Sequence, residues 1–212
     1  GMVNLILGAL ILESGRMLKE GYKWEMVEES SKKAFLSEKG VYSIYQELGN
    51  ERVIPFLKSL IDEKEKEFSE VYHNFFTLRE SIFMDKRKAG QNDSAEKKEP
   101  AVERGKGEDS LVLDILSRRF LAVAFMLASE IVEAGVAEFD EVDLGCQKAL
   151  GWKKGPFSLM NDKGLPAAFQ MVVEKMENSH RREINFPVPS LLVSQVQKNT
   201  PWPLASESGF YH

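Results

Sequence analysis

The sequence predicts an all-α fold made of two tandem copies of one helical unit. Apolar residues recur at helical spacing along most of the 212 residues, and no segment shows the alternating pattern of a β-strand. A short stretch also occurs twice, because residues 33–49 align without gaps on residues 148–164, with six identities that include Gly40 on Gly155. A repeat with so long a period indicates a duplicated helical unit rather than a short solenoid repeat.

Composition and charge restrict the class of protein. With 43% hydrophobic residues, the chain can bury one sizeable core or two modest ones. A net charge of -5 suits a soluble cytoplasmic protein and gives no reason to expect nucleic acid as a partner. The single cysteine, Cys146, excludes an intramolecular disulfide and a cysteine-built zinc site. The apolar run 2–12 is too short to span a membrane, so we expect a helix of the core.

The first unit, predicted over 1–85, opens with a helix over 4–21 that ends at a glycine. Its apolar residues are expected to face the core. The charged side chains expected to face solvent are Glu13, Arg16, Lys19 and Glu20. A second helix is predicted over 24–35, followed by a corner at Gly40 and a short helix that ends at Gly49. Residues 52–86 carry an apolar stripe long enough for one or two further helices.

A charged segment, 86–110, separates the first unit from the second, which is predicted over 111–212. The segment is rich in Lys, Glu, Gly and Asp, and such a composition cannot offset the entropy lost on ordering, so it is predicted to be a flexible linker. The second unit then repeats the first, and its predicted helices are 113–135, 139–150, a short helix after Gly155, 166–176 and 190–198.

The corner of the second unit is the clearer copy. Gly151 follows a helical run and can take the left-handed conformation that stops a helix. Gly155-Pro156 then starts the next helix, since proline at the first helical position gives up only an amide that has no partner within the helix. Gly164 ends this short helix. The sequence therefore predicts a tight turn between two helices.

The residues of this corner carry a resemblance to a known family. Ala149-Leu150-Gly151-Trp152 is followed by Gly155-Pro156-Phe157-x-Leu159-x-x-Asp162-x-Gly164, and the chain ends Gly209-Phe210-Tyr211-His212. This pattern resembles the all-helical C-terminal domain of L-3-hydroxyacyl-CoA dehydrogenases over nearly all of 113–212. A weaker likeness covers 3–60. The resemblance implies two tandem, pseudo-symmetric helical repeats of the 6-phosphogluconate dehydrogenase C-terminal-like type, packed on each other.

The family also implies a function. Two tandem copies are the arrangement of its multifunctional fatty-acid β-oxidation enzymes, in which an NAD-binding domain precedes the pair and the substrate is a 3-hydroxyacyl-CoA. No strand–Gly-x-Gly-x-x-Gly–helix unit occurs in this chain, so we expect no cofactor here and no activity from the chain alone. The implied partners are acyl-CoA and an NAD-binding domain, on the same parent chain or a separate one. The alternative is a free-standing helical interaction protein, favoured by the less well kept corner at Gly40 and by Leu5 where the family usually has Arg.

The resemblance supplies the candidate site residues. Asn4 matches the family's Asn beside the catalytic His-Glu dyad, and a neutral amide suits the holding of a thioester or hydroxyl group. A helix N-cap is the alternative role. Residues matching positions that touch the acyl chain in some members are Gly40, Val41, Tyr42, Gly155, Pro156 and Phe157. The same residues are also needed to turn the corners, and that structural role is the one we favour.

The remaining reactive side chains are predicted to be structural. His73, His180 and His212 lack the motif around the family's catalytic histidine and are expected at the surface or in packing. Cys146 is expected to be a small buried apolar residue, with no histidine near it in sequence.

The two units are expected to pack on each other. Single-copy members of the family dimerise through this domain, so a tandem pair places both halves of that interface on one chain. The resemblance also allows a homodimer of the whole chain. Residues expected in the contact between the long first helices are Leu7, Ala9, Leu10, Leu121, Ala124 and Phe125.

Overall fold

A computed structural model describes residues 1–64, 106–180 and 186–205. Every regular element within them is an α-helix, which confirms the all-α prediction. The helices are α1 (Met2–Lys19), α2 (Trp24–Phe35), α3 (Val41–Leu48), α4 (Asn50–Lys64), α5 (Lys106–Glu133), α6 (Phe139–Leu150), α7 (Pro156–Lys163), α8 (Leu165–His180) and α9 (Ser190–Lys198). The predictions for 65–105, for His73 and for the last seven residues lie outside the described residues.

The long helix α5 is the centre of the fold. It packs against α1 and α2 of the first segment, residues 1–64. It also packs against α7, α8 and α9, which belong with α5 and α6 to the second segment, the described residues from 106 onward. Every residue from 120 to 129 is buried, so α5 is enclosed on all sides rather than along one stripe. None of the helices in the described segments is long and apolar enough to cross a lipid bilayer.

Buried residues from both segments belong to one apolar cluster. Leu10 of α1 and Phe125 of α5 are both fully buried within it, whereas Leu7 is only partly buried. Burial of this kind follows from apolar residues on both long helices, which reduce their contact with water by packing together. The pseudo-symmetric relation between the two units stays a prediction.

Specific contacts also join the two segments near their corners. The ring of Phe35 stacks on Trp152, with centroids 3.8 Å apart and planes inclined by 1°. Beside this stack the backbone N–H of Lys153 donates a hydrogen bond to the carbonyl oxygen of Phe35 over 3.3 Å. Deeper in the core, Ser117 Oγ donates to the carbonyl oxygen of Ser30 over 2.9 Å. The first segment therefore contacts the second through polar groups as well as apolar ones.

The start of α5 corrects one boundary. The helix begins at Lys106, so residues 106–110, assigned to the linker from their composition, are helical. Glu108 and Asp109 lie in its first turn, where negative charge interacts favourably with the partial positive charge of the exposed amides. The polar composition of residues 106–110 predicted a linker because it offers no apolar face. The later residues of α5 are buried in the core, however, and they hold the helix in place without an apolar face in its first turn.

Helices α2 and α6 end in the same backbone conformation with different residues. Gly151 has φ 68° and ψ 24°, and Leu36 has φ 52° and ψ 41°, both in the left-handed region. Glycine adopts this region freely, whereas a β-carbon there costs roughly 1–2 kcal/mol. The first corner is therefore strained at a position where the second is not.

Replacing Leu36 by glycine is expected to raise the free energy of unfolding by about 1 kcal/mol, because the strain is removed. Leu36 is exposed, so little apolar burial is lost with its side chain. Urea denaturation measures the change. As a control, Leu144→Gly at an exposed position inside α6 should lower stability by about 1 kcal/mol. A Leu36→Gly protein that is less stable than the parent would contradict the strain.

Candidate functional site

The second corner is built on the buried carboxylate of Asp143 in α6. This carboxylate accepts hydrogen bonds from the backbone N–H groups of Phe157 and Ser158, each over 2.8 Å, and from Ser158 Oγ over 2.7 Å. The N-cap of α7 is Gly155, which has no side chain to satisfy the first amides of the helix. Asp143 takes over that function from the neighbouring helix. Burial raises the pKa of Asp143, and these three donors oppose the rise.

The first corner uses a glutamate in the same way. Glu28 of α2 accepts hydrogen bonds from the backbone N–H groups of Gly40 and Ser43 over 2.9 and 3.0 Å, and from Ser43 Oγ over 2.6 Å. Glu28 stands at the same position of its twelve-residue helix as Asp143 does in α6. The two corners therefore share the contacts to the matching serines, Ser43 and Ser158, whereas the other amide is that of Gly40 in the first corner and of Phe157 in the second.

The two corners also differ in the hydrogen bond made at the first residue of the short helix, and this difference allows Cys146 to stand where the first unit has Ser31. In the first corner the backbone N–H of Val41 donates to Ser31 Oγ over 2.9 Å. The residue that matches Val41 is Pro156, which has no N–H and needs no acceptor. At the position that matches Ser31 the second unit has Cys146, which is fully buried. A thiol can replace the hydroxyl there because no hydrogen bond has to be satisfied.

Close approach, rather than a positive φ, makes glycine necessary at both corners. A β-carbon on Gly155 would lie 2.3 Å from Cα of Asp143, and one on Gly40 would lie 2.6 Å from the carbonyl oxygen of Glu28. Both are backbone atoms that cannot rotate away. The same helix that supplies the capping carboxylate therefore also excludes every side chain from the N-cap position.

Gly155→Ala is expected to lower the free energy of unfolding by about 3 kcal/mol, because the new methyl group overlaps the backbone of α6. Gly107→Ala is the matched control: this glycine lies in the first turn of α5, and none of the described residues lies within 4 Å of an added β-carbon. Alanine there should be neutral or raise stability by up to about 1 kcal/mol. Equal effects of the two substitutions in thermal and urea unfolding would contradict the close approach at the corner.

The predicted acyl-chain contacts lie in different environments at the two corners. Pro156 and Phe157 are buried, and the Phe157 ring packs edge-on against Phe139 and Trp202, each at 5.0 Å between centroids. In the first corner Val41 is buried, whereas Tyr42 is partly exposed and stacks on the exposed ring of Trp24 at 5.4 Å. These surroundings favour the structural role for the second corner. Contact with a substrate stays a prediction for both.

Asn4 lies in the first turn of α1 and its side chain is exposed. The N-cap of α1 is Gly1, so the alternative that Asn4 caps this helix is wrong. The chain is already helical at Met2 because the apolar run starts there. The next residue, Leu5, is buried in the core.

The end of α1 holds a buried ion cluster that the sequence did not predict. Glu13 is fully buried and Arg16 nearly so, although both were expected to face solvent. One oxygen of Glu13 accepts hydrogen bonds from Arg119 Nε over 2.8 Å and from Lys175 Nζ over 2.5 Å. The other oxygen accepts from Arg16 over 3.3 Å. The partners come from α5 and α8, so periodicity along α1 could not reveal that Glu13 is enclosed.

Charges in this cluster determine its titration. Burial alone would raise the pKa of Glu13, but Lys175, Arg119 and Arg16 outweigh burial and hold that pKa well below its usual range. Burial lowers the pKa of Lys175 to about 8, against the opposing effect of Glu13. The pKa of Arg119 is raised, because Glu13 and Glu20 outweigh the effect of burial. Glu13 is therefore a structural counter-ion rather than a proton donor at neutral pH.

A cavity of about 370 Å³ opens beside the ion cluster. It is bounded by α1, α5 and α8. Its described charged lining consists of Arg16, Arg118, Arg119, Lys175, Glu20 and Glu174. Asn4 stands twelve residues before Arg16 on the same helix, about 18 Å away at a rise of roughly 1.5 Å per residue. The cavity is thus separate from Asn4, the residue that the family resemblance places beside the catalytic dyad.

Cys146 is buried, as predicted, and burial raises the pKa of its thiol well above the ordinary value. A thiol of that kind is a poor nucleophile, because the thiolate is the reactive form. His180 ends α8, and its side chain is outside the described part of the chain. Within the described segments no group of three or more His, Cys, Asp or Glu side chains could hold a metal ion.

Comparison with known proteins bears on the second segment. Residues 116–212 match a family model described as 3-hydroxyacyl-CoA dehydrogenase, C-terminal domain. No curated protein and no solved structure matches the chain. The match begins inside α5 at Leu116 and takes in α6 to α9. Residues 1–64 lie outside it, although α1 and α2 pack against α5.

Proposed function

We propose, from the match of residues 116–212 to the C-terminal domain of the 3-hydroxyacyl-CoA dehydrogenase family, that the chain is the helical, substrate-side and assembly portion of an NAD-dependent L-3-hydroxyacyl-CoA dehydrogenase. The enzyme would oxidise the 3-hydroxy group of an acyl-CoA during fatty-acid β-oxidation. An NAD-binding domain, on the same parent chain or on a separate one, would complete the active site. We place this assembly in the cytoplasm, with a homodimer as a further form.

The family match is the observation that carries the proposal. Packing of the first segment supports the assembly part: α1 and α2 cover α5, the helix in which the matched residues begin. A surface that single-copy members of the family use between subunits would here be occupied by residues 1–64 of the same chain. The exposed position of Asn4 supports the substrate part, because its amide is accessible to a second domain and to a ligand bound between the two.

Hydride transfer to NAD needs a cofactor site and a general base within hydrogen-bond reach of the substrate hydroxyl. The described carboxylates with the most perturbed surroundings, Glu13 and Asp143, are engaged in structural hydrogen bonds and do not supply that base. We therefore expect the chain alone to produce no NADH from a 3-hydroxyacyl-CoA. Activity should appear when a separately expressed NAD-binding domain of the family is added.

A reconstitution assay tests this proposal. NADH absorbance is followed with 3-hydroxyacyl-CoA and NAD, for the chain alone, for the NAD-binding domain alone and for the mixture. In the mixture, Asn4→Ala should lower turnover by about 10-fold or more, as expected for loss of a hydrogen bond that positions the substrate. Gln46→Ala, which removes another exposed amide, should leave turnover unchanged. Turnover by the chain alone, or a mixture insensitive to Asn4→Ala, would overturn the assignment.

A second candidate is a helical interaction protein that retains the fold without the chemistry. The observation that favours it is the burial of Pro156 and Phe157, with the Phe157 ring packed against Phe139 and Trp202, because side chains engaged in the core are less available to contact an acyl chain. Burial of Leu5, where the family usually has Arg, points the same way. If the mixture forms a complex on size exclusion but gives no NADH, the interaction protein is the better assignment.

A further inference from the structure

Two cationic side chains that line the cavity beside Glu13 have hydrogen-bond donors with no acceptor in the part of the chain that the structure describes. Among the described residues, the only acceptor for Lys175 Nζ is Glu13, although an ammonium group has three donors. The Lys175 side chain is only 11% exposed, so its remaining donors have little access to bulk water. The partly exposed Arg118 gives one N–H to Glu174, and its four other N–H groups have no acceptor among the described residues. Both side chains line the cavity.

Positive charge exceeds negative charge around this space. Four cations line the described walls, against the carboxylates of Glu20 and Glu174 in the lining and of Glu13 beneath it. With all seven groups ionised the excess is one positive charge. Such a charge in a poorly solvated space interacts strongly with a counter-ion, because the low dielectric weakens screening. A monoanion would balance it.

Apolar side chains form the rest of the wall. Met171 is nearly buried and Phe186 is fully buried, and Ile115 stands exposed at the edge. A volume of about 370 Å³ is within the range of sites for small organic molecules. The cavity is lined by both charged and apolar side chains. Such a lining suits a ligand with an anionic group and a short hydrocarbon chain better than a small inorganic ion.

We propose that this cavity binds a small organic monoanion, a carboxylate with a short alkyl chain. The carboxylate accepts hydrogen bonds from Lys175 and Arg118, and the alkyl chain lies against Met171 and Phe186. This inference is independent of the dehydrogenase assignment, because the cavity and Asn4 lie at opposite ends of α1.

The protonation of Lys175 links this binding to pH. Its pKa is lowered to about 8 by burial, so the ammonium is mostly charged below that value and mostly neutral above it. Loss of the charge removes both the attraction and a hydrogen-bond donor. The charged or titratable groups that face Lys175 from α1, α5 and α8 and from the segment after α1 are Glu13, Arg16, Glu20, Tyr22, Arg118, Arg119 and Glu174.

Isothermal titration calorimetry with three probes tests the proposal on the intact chain. Hexanoate should bind saturably one pH unit below the Lys175 pKa of about 8 and about tenfold more weakly one unit above it. Hexanol, which lacks the charge, and inorganic phosphate, which lacks the alkyl body, should each bind at least tenfold more weakly than hexanoate. Hexanol that binds as tightly as hexanoate would overturn the ionic contact. Phosphate that does so would overturn the alkyl contact.

Substitutions of the exposed residue Ile115 distinguish an effect on hexanoate binding from an effect on folding. Ile115 is exposed, so Ile115→Glu and Ile115→Lys should fold like the parent. Glutamate should weaken hexanoate binding about twofold or more and lysine should strengthen it by a similar factor, by direct charge interaction. Lys175→Met should weaken binding tenfold or more, with Lys198→Met as the control outside the cavity. Equal hexanoate affinity for both Ile115 variants would overturn the proposal even if Lys175→Met unfolds.

Discussion

Glu13→Gln is expected to lower the free energy of unfolding by about 3–5 kcal/mol, the usual cost of breaking a buried ion cluster by removing one partner. Glutamine keeps the shape of the side chain but not its charge. Lys175 would then be left in a poorly solvated space without the one carboxylate that it contacts among the described residues, and Arg119 would keep only Glu20. Urea denaturation near neutral pH measures the loss.

The same cluster predicts how stability depends on pH. The folded pKa of Glu13 lies below its unfolded value, so its contribution is fully present above the unfolded pKa and is lost as pH falls toward the folded one. The parent should therefore lose stability steeply on the acid side of the ordinary carboxylate range. Glu13→Gln should show a shallower dependence there, because the titrating group is gone.

Glu29→Gln is the matched control for this prediction. Glu29 is exposed and pairs with Lys32 over 2.8 Å on the surface of α2. Exposed pairs of this kind contribute at most about 1 kcal/mol. If the two glutamine variants lose the same amount of stability, or if Glu13→Gln keeps the acid dependence of the parent, Glu13 does not hold the cluster together.

Phe125→Glu is expected to unfold the chain at room temperature. Phe125 is 0% exposed in the middle of α5, and a carboxylate there would be buried without a partner. Losses above about 4–5 kcal/mol come from a short list of causes, and an unpaired buried charge is one of them. Far-ultraviolet circular dichroism and size exclusion should show loss of helix and an expanded chain.

Leu111→Glu is the control on the same helix. Leu111 is 61% exposed near the start of α5, so the new charge stays in water. Its effect on stability should be within about 0.5 kcal/mol. A folded Phe125→Glu protein with the helix content of the parent would show that α5 is not enclosed by its neighbours.

The local features of the fold could be predicted from the sequence. The bounds of α2, α6 and α9 follow from apolar periodicity, helped by Gly151 after α6 and Pro189 before α9, and the structure places them at the predicted residues. The left-handed conformation of Gly151 was also predicted, because only the residue and its neighbours determine it. At the matching position, Leu36 has the same conformation although its residue type gave no sign of it.

Features that depend on residues distant in the chain could not be predicted from the sequence. Glu13 looked like a solvent-facing charge, and only the arrival of Arg119 and Lys175 from other helices shows that it is buried. The capping role of Asp143 was missed for the same reason, since the helix it caps starts thirteen residues later and its amides become neighbours only after folding. Correlated variation of Glu13 with Arg119 or Lys175 among homologues is the kind of signal that could have indicated these contacts.

Co-elution of the cleaved halves tests most directly the claim that residues 1–64 pack stably against the family-matched residues within one chain. A specific protease site is inserted after Asp93, the protein is cut, and the products are run on size exclusion at micromolar concentration. The contacts of α1 and α2 with α5, including the stack of Phe35 on Trp152, predict that both fragments elute together at the volume of the uncut chain. Separate elution of two fragments that both remain helical would contradict the claim.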